Sequence, residues 1–200
     1  MDYKKFTLKN GLRLVHIHLP RLASATLTVW VKTGSRFEEQ SLNGISHFLE
    51  HMVFKGTRKR PSAKAISESI DAIGGEFNAA TSKDWTNFYI KTRAGNLEIA
   101  FDVISDMILD PLLAQEEIER EKGVIIEELA MYEDTPLIKI QDVFEELIFK
   151  GNSLSWDVGG TPKTVKNIQR NDFVRYRNIH YYAQNLLLTV SGGVNENQVL

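Results

Sequence analysis

The 200-residue sequence contains no cysteine and only five prolines, and its formal net charge at pH 7 is −2. Without cysteine the chain can form neither disulfide bonds nor thiolate metal sites. A net charge so close to zero argues against nucleic acid or an anionic membrane as a partner. Apolar runs of about 18 residues, the length that a membrane span requires, are also missing.

The remaining composition is that of a folded domain, with 42% hydrophobic and 25% charged residues. Two hundred residues suit a single domain, and we therefore treat residues 1–200 as one unit. The opening sequence, MDYKKF, lacks the apolar core of a signal peptide. We expect a cytoplasmic protein.

Residues 44–54, GISHFLEHMVF, form the most informative stretch. On a helix, one stripe carries the apolar residues, and the opposite stripe carries His47, Glu50 and His51. Imidazoles at i and i+4 stand one turn apart, so that both can reach one metal ion. Glu50 projects from the same face and is placed to act on a water molecule. This is the inverted zinc-peptidase motif, H-x-x-E-H, although a solvated helix face could show the same pattern.

A catalytic zinc site needs a third protein ligand and one open position. The predicted helix over 115–133 offers seven glutamates. Helical phase, measured from Glu121, centres the apolar side of this helix at roughly 50–60°. Glu128 falls at about 340°, at the margin of that side, whereas Glu127 falls near 240°, in water. We therefore predict Glu128 as the third ligand, with Glu121 placed to hold a ligating histidine through a hydrogen bond.

The hydrophobic pattern predicts strands over 12–19, 25–33, 76–81, 86–93 and 186–191, and helices over 44–54, 62–73, 96–109, 115–133, 137–149 and 171–182. The first two strands are predicted to pair antiparallel. Strands in hairpin-like pairs, with helices clustered between them, favour an α+β fold over a doubly wound sheet.

Two other groups of residues have simpler interpretations. His16 and His18 share one side of a strand and could bind metal, but no carboxylate is placed by sequence to complete the site. We interpret both as surface strand residues. The basic residues Lys55, Arg58, Lys59 and Arg60 could contact a substrate carboxylate or nucleic acid, but a solvated loop is the simpler interpretation.

The chain resembles the amino-terminal catalytic domain of the pitrilysin/insulinase superfamily of zinc peptidases, and bacterial proteins like the mitochondrial processing peptidase are nearest. The resemblance is carried by KNGL at 9–12, the run from 34–36 through HFLEHMVFKGT at 47–57, GGEFNA at 74–79, EKGVIIEE at 121–128 and GTP at 160–162. In this family the ligand glutamate follows the second histidine at the spacing that separates Glu128 from His51, with another acid at the position of Glu121. A gap of one residue between this chain and the family pattern would move the ligand assignment to Glu127.

The resemblance implies a mixed, largely antiparallel sheet with helices packed against it, as in the metalloenzyme LuxS and the processing peptidases. It also implies an edge strand onto which an extended peptide pairs, with Asn78 and Ala79 bordering the scissile bond. The substrate-binding segment so implied is Gly75, Glu76, Phe77, Asn78, Ala79, Ala80 and Thr81.

The resemblance further implies a second half. Family members usually carry two similar domains that close over the substrate, and the second typically supplies an arginine and a tyrosine. We expect this chain to be the amino-terminal half of a longer protein, or to receive the rest from a partner subunit in a homo- or heterodimer.

The expected function is that of a zinc metalloendopeptidase with one zinc ion, acting on extended or unfolded peptides. His47, His51 and Glu128 would bind the metal, and Glu50 would act as the catalytic base. The alternative is a non-catalytic peptide-binding or scaffold subunit. A structural zinc site fits less well, because such sites are closed by four ligands.

Overall fold

The computed structural model describes residues 2–200, which form six β-strands and seven α-helices. The strands are β1 (Lys4–Thr7), β2 (Arg13–His18), β3 (Ser24–Val31), β4 (Glu76–Thr81), β5 (Thr86–Arg93) and β6 (Leu186–Gly192). The helices are α1 (Ile45–Val53), α2 (Ala63–Asp71), α3 (Leu97–Leu109), α4 (Gln115–Glu133), α5 (Pro136–Ile148), α6 (Pro162–Asn167) and α7 (Arg170–His180). None of the helices within residues 2–200 is both long and apolar enough to cross a membrane.

All six strands belong to one sheet, in the order β1-β2-β6-β3-β5-β4. Only the pairing of β2 with β6 is parallel among the described strands, and the other four pairings are antiparallel. The predicted α+β fold with a mixed, largely antiparallel sheet is therefore confirmed.

The predicted pairing of β2 with β3 is wrong, because β6 lies between them and bonds to both. A short connection between two strands favours a hairpin, but it cannot reveal a third strand that arrives from the far end of the chain. The largely apolar sequence of β6 suits this interior position. The strand β1 and the helix α6 were not predicted, because four and six residues carry little periodic signal.

The core lies between one face of the sheet and the helices. Along β3, every second residue is buried, and the residues between them are only partly buried. The helix α1 packs its whole apolar stripe into this core, where each member is at most 1% exposed: Ile45, Phe48, Leu49, Met52 and Val53. The ring of Phe48 meets Phe173 of α7 edge-on, with 4.8 Å between centroids. This burial fixes the rotation of α1 about its axis.

The amino-terminal end of α1 is held by a buried carboxylate, Glu38. It accepts hydrogen bonds from the backbone N–H groups of Gly44 and Ser46 at 2.8 Å each, from the Ser46 hydroxyl at 2.6 Å and from the Asn43 amide at 2.9 Å. Burial raises the pKa of Glu38, while these four bonds favour its charged form. The negative charge also complements the positive end of the helix dipole.

The backbone of Gly44 passes close to a distant loop at the same end of α1. Gly44 has a φ of +96°, and a Cβ atom added there would lie 2.5 Å from the carbonyl oxygen of Gly159. Only glycine satisfies both conditions. The start of α1 is therefore fixed by Glu38 on one side and by residues 159–160 on the other.

We expect Glu38→Gln to lower the free energy of unfolding by about 3 kcal/mol, because an amide NH₂ group would face backbone and hydroxyl donors in a buried site. Glu39→Gln is the matched control, because Glu39 is the exposed neighbour and should change stability by less than about 0.5 kcal/mol. Urea unfolding of both variants measures the difference. Equal stabilities would show that Glu38 does not anchor the helix.

Candidate metal centre

The helices α1 and α4 bring three metal-binding side chains together. The Nε2 atoms of His47 and His51 are 3.2 Å apart. The Oε2 atom of Glu128 lies 3.8 Å from Nε2 of His47 and 3.6 Å from Nε2 of His51. Within residues 2–200 this is the one group of three such side chains whose donor atoms converge, all within 4.8 Å of one another.

These separations suit a single zinc ion. Two ligands about 2.1 Å from one tetrahedral ion lie about 3.4 Å apart, and the three observed distances bracket that value. Two imidazoles and one carboxylate are also a donor set of catalytic zinc sites. Glu127, the alternative at the next position, is exposed and lies outside the group.

His51 is held in one orientation by Glu121 of α4. Its Nδ1 atom lies 2.9 Å from Oε1 of Glu121, and the other carboxylate oxygen, Oε2, lies 2.5 Å from Nζ of Lys55. Burial raises the pKa of Glu121, but the hydrogen bonds from His51 and Lys55 outweigh it and keep that pKa below its usual value. A charged Glu121 accepts a hydrogen bond from Nδ1–H of His51, which leaves the Nε2 lone pair facing Glu128 and His47.

Glu50 lies on the same helix but outside the converging group. Its Oε2 atom accepts a hydrogen bond from the hydroxyl of Thr81, the last residue of β4. Burial raises the pKa of Glu50 above its usual range. A buried carboxylate with one oxygen held and a raised pKa is suited to accept a proton.

The imidazole of His47 is more deeply buried than that of His51. Burial, together with the neighbouring His51, lowers the pKa of His47 to about 4. The imidazole is therefore neutral at pH 7, which is the form that binds metal. Its Nδ1 atom is buried and has no hydrogen-bond partner among the described residues.

Two contacts in the site were missed from the sequence. The hydroxyl of Tyr132 donates a 2.6 Å hydrogen bond to Oε1 of Glu128, and that bond, with burial, raises the pKa of Tyr132 to about 12. The helical phase alone places Tyr132 on the apolar side of α4 and predicts no polar contact for it. Lys55 had been grouped with a solvated basic loop, yet it pairs with Glu121. The i, i+4 spacing of Glu128 and Tyr132 was the available signal for the first contact.

The strand β4 forms an edge of the sheet, as expected for the segment from Gly75 to Thr81. It pairs with β5 on one side and with no other strand among residues 2–200. Its residues alternate between exposed and partly buried. Because Thr81 contacts Glu50, the end of this open edge adjoins the site.

The prediction for His16 is wrong, because its side chain is only 3% exposed. The rings of His16 and His18 both hydrogen-bond to the backbone carbonyl of Val194, at 2.9 and 2.7 Å. The segment after β6 covers His16, whose burial could not be read from β2 alone, whereas His18 is exposed as predicted. Arg60 also departs from the solvated-loop interpretation, since it pairs with Asp102 and the buried Asp106.

Comparison with protein families matches residues 13–161 to the family described as insulinase (peptidase family M16). The chain belongs to this family. It is 42% identical over 197 residues to an uncharacterized zinc protease of Streptomyces coelicolor, covering 98% of this chain and 43% of that protein. It is 36% identical over 194 residues to the mitochondrial-processing peptidase subunit beta of Caenorhabditis elegans, covering 97% of this chain and 42% of that protein.

Solved structures give the same picture of the fold. A protease from Helicobacter pylori superposes with a TM-score of 0.93 at 28% identity, covering 99% of this chain and 48% of that one. A domain from Pseudomonas fluorescens, described as a peptidase M16 inactive domain, superposes with a TM-score of 0.92 at 13% identity, covering 100% of this chain and 48% of that one. The chain thus spans less than half the length of these relatives.

Proposed function

We propose that this M16 domain is the catalytic part of a zinc endopeptidase that hydrolyses extended or unfolded peptides. The observation that carries the proposal is the convergence of His47, His51 and Glu128 next to a buried Glu50. The naming of relatives as zinc proteases supports the same metal. Zinc bound by these three side chains would lower the pKa of a water molecule and polarise the scissile carbonyl.

The residues of this chain then have distinct roles. Glu50 accepts a proton from the attacking water while the oxygen of that water bonds to the carbonyl carbon. Glu50 then delivers the proton to the leaving amine when the C–N bond breaks. Glu121 keeps the Nδ1 proton of His51 on the side away from Glu128 and His47. Thr81 holds one oxygen of Glu50, so that the other is free to accept the proton.

The substrate in this proposal binds as an added strand on β4. The free side of β4 runs along Glu76–Thr81, where the N–H of Ala79 already donates to Oδ1 of Asn78, and pairing through the backbone makes few demands on sequence. We further propose that a second domain or a partner subunit covers the bound peptide and supplies donors for the oxyanion. The chain spans 42% of the Caenorhabditis elegans subunit and 48% of the Helicobacter pylori protease, and these shares support the proposal.

A second candidate function is a non-catalytic peptide-binding or scaffold subunit. The inactive domain with the same fold favours it, because the fold alone does not separate the two functions. Metal binding does separate them. A scaffold has no need of three converging ligands, whereas the peptidase fails without them.

We expect Glu128→Gln to weaken zinc binding by about 100-fold or more, because it removes an anionic ligand. Glu127→Gln removes the same charge from the adjacent, exposed position and should leave the affinity unchanged. Competition with a chromophoric chelator measures both dissociation constants. Equal losses in the two variants would refute the assignment of Glu128.

Glu50→Gln should retain one zinc ion and lower peptide cleavage by about 10²–10⁴-fold, because it removes the proton acceptor and leaves the ligands in place. His51→Ala should lose both zinc and cleavage. Metal content after dialysis and peptide cleavage, measured with the proposed second domain or partner subunit present, provide the two readouts. Normal turnover by the Glu50 variant would contradict its role.

Backbone N-methylation of a bound peptide should weaken binding about tenfold at every second position only, because alternate N–H groups of an added strand face β4. An inactive Glu50→Gln protein allows the dissociation constants to be measured without cleavage. The unmethylated peptide is the control. A uniform effect along the peptide would rule out strand pairing.

A further inference from the structure

The two carboxylate oxygens of Glu128 have different surroundings, because only one of them accepts a hydrogen bond from Tyr132. Oε1 accepts the Tyr132 hydroxyl at 2.6 Å. Oε2 is the oxygen that faces the imidazoles of His47 and His51, at 3.8 and 3.6 Å. Each oxygen therefore has a different partner.

We propose that Tyr132 is a positioning residue, which fixes the carboxylate of Glu128 so that a single oxygen faces the two histidines. This inference rests on the metal site of the proposed function. A carboxylate that offers one oxygen leaves a coordination position for water, whereas one that offers both would fill it. Tyr132 thereby favours an open, catalytic site over a closed one.

Helix geometry makes this arrangement rigid. Glu128 and Tyr132 are spaced i, i+4 on α4, so that their side chains leave the same face one turn apart. The Glu128 side chain is 23% exposed and is not fixed by burial alone. Among residues 2–200, the hydroxyl of Tyr132 is the one hydrogen-bond donor to its carboxylate, because the Nε2 atoms of the two histidines lie 3.6 and 3.8 Å from it, beyond hydrogen-bond distance. Without that hydroxyl the carboxylate is free to rotate.

Two of the other proposed site residues, His51 and Glu50, are also held by an outer contact, whereas Nδ1 of His47 has no hydrogen-bond partner among residues 2–200. Glu121 holds Nδ1 of His51, and Thr81 holds Oε2 of Glu50. In each pair, one polar atom of the functional group is bound by the protein, and for His51 the other, Nε2, faces His47 and Glu128. Such outer contacts typically change metal affinity or activity by about 10–100-fold.

A competing role for Tyr132 is contact with substrate, because its side chain also lines a cavity of about 1320 Å³ together with Leu129, Trp156 and Pro162. The two roles differ in what they change. A substrate contact alters peptide binding and leaves metal affinity intact, whereas a positioning role alters metal affinity with no peptide present.

The test is a cobalt(II) titration of the metal-free 200-residue chain, followed by visible absorption. We expect Tyr132→Phe to raise the cobalt dissociation constant about tenfold and to change the absorption spectrum. Tyr182→Phe, at an exposed tyrosine, is the matched control and should bind cobalt as the unsubstituted chain does. With chelator present, the unfolding midpoint of Tyr132→Phe should stay within about 2 °C of the unsubstituted chain.

A second background shows whether Tyr132 acts through Glu128. In a Glu128→Gln chain, adding Tyr132→Phe should change the weak cobalt binding by less than about twofold, because the group it positions is gone. Unchanged cobalt affinity in Tyr132→Phe, or an equal loss in both backgrounds, would overturn the proposal. A lowered unfolding midpoint in chelator would point to a general structural role and would overturn it as well. No cobalt binding by the unsubstituted chain would instead refute the metal site itself.

Discussion

The close packing of α1 against α4 is the constraint on which the site depends. His47, Glu50 and His51 come from one helix and Glu128 and Glu121 from the other, so that the site exists only at one relative rotation. A shift of α1 by one residue would turn each imidazole by about 100° and separate the donor atoms. The buried apolar stripe of α1 and the hydrogen bonds to Glu38 oppose such a shift. The shift would expose apolar surface, and it would leave the buried carboxylate of Glu38 without its hydrogen-bond donors.

The helical contributions to the site could be predicted because they follow a period. The exposed position of Glu127 and the inward position of Glu128 follow from the amphipathic pattern of α4, and the pattern was long enough to be reliable. The long-range contributions could not be predicted. The insertion of β6 between β2 and β3, and the burial of His16 under residue 194, join segments more than 150 residues apart. The local hydrophobic pattern of a segment does not show which distant segments it contacts.

Tyr132 illustrates a different limit of the sequence argument. A tyrosine on the apolar margin of a helix can be counted as a hydrophobic residue, and its ring does belong there. Its hydroxyl, however, reaches a carboxylate one turn earlier, and the existence of that bond depends on the rotamers of both side chains. Phase predicts which side of a helix a residue occupies, but it does not predict which atom of that residue does the chemistry.

The fold itself carries little information about activity. The superposition on an inactive M16 domain is almost as close as that on a protease, although the two differ in what they do. The case for a peptidase therefore depends on a few side chains, and chiefly on the Nε2 atoms of two imidazoles that face one carboxylate oxygen. Holding those atoms together without metal is unfavourable, since buried polar groups lose hydration. Apolar residues at these positions would avoid that cost, and a metal-binding role would account for the presence of His47, His51 and Glu128 there instead.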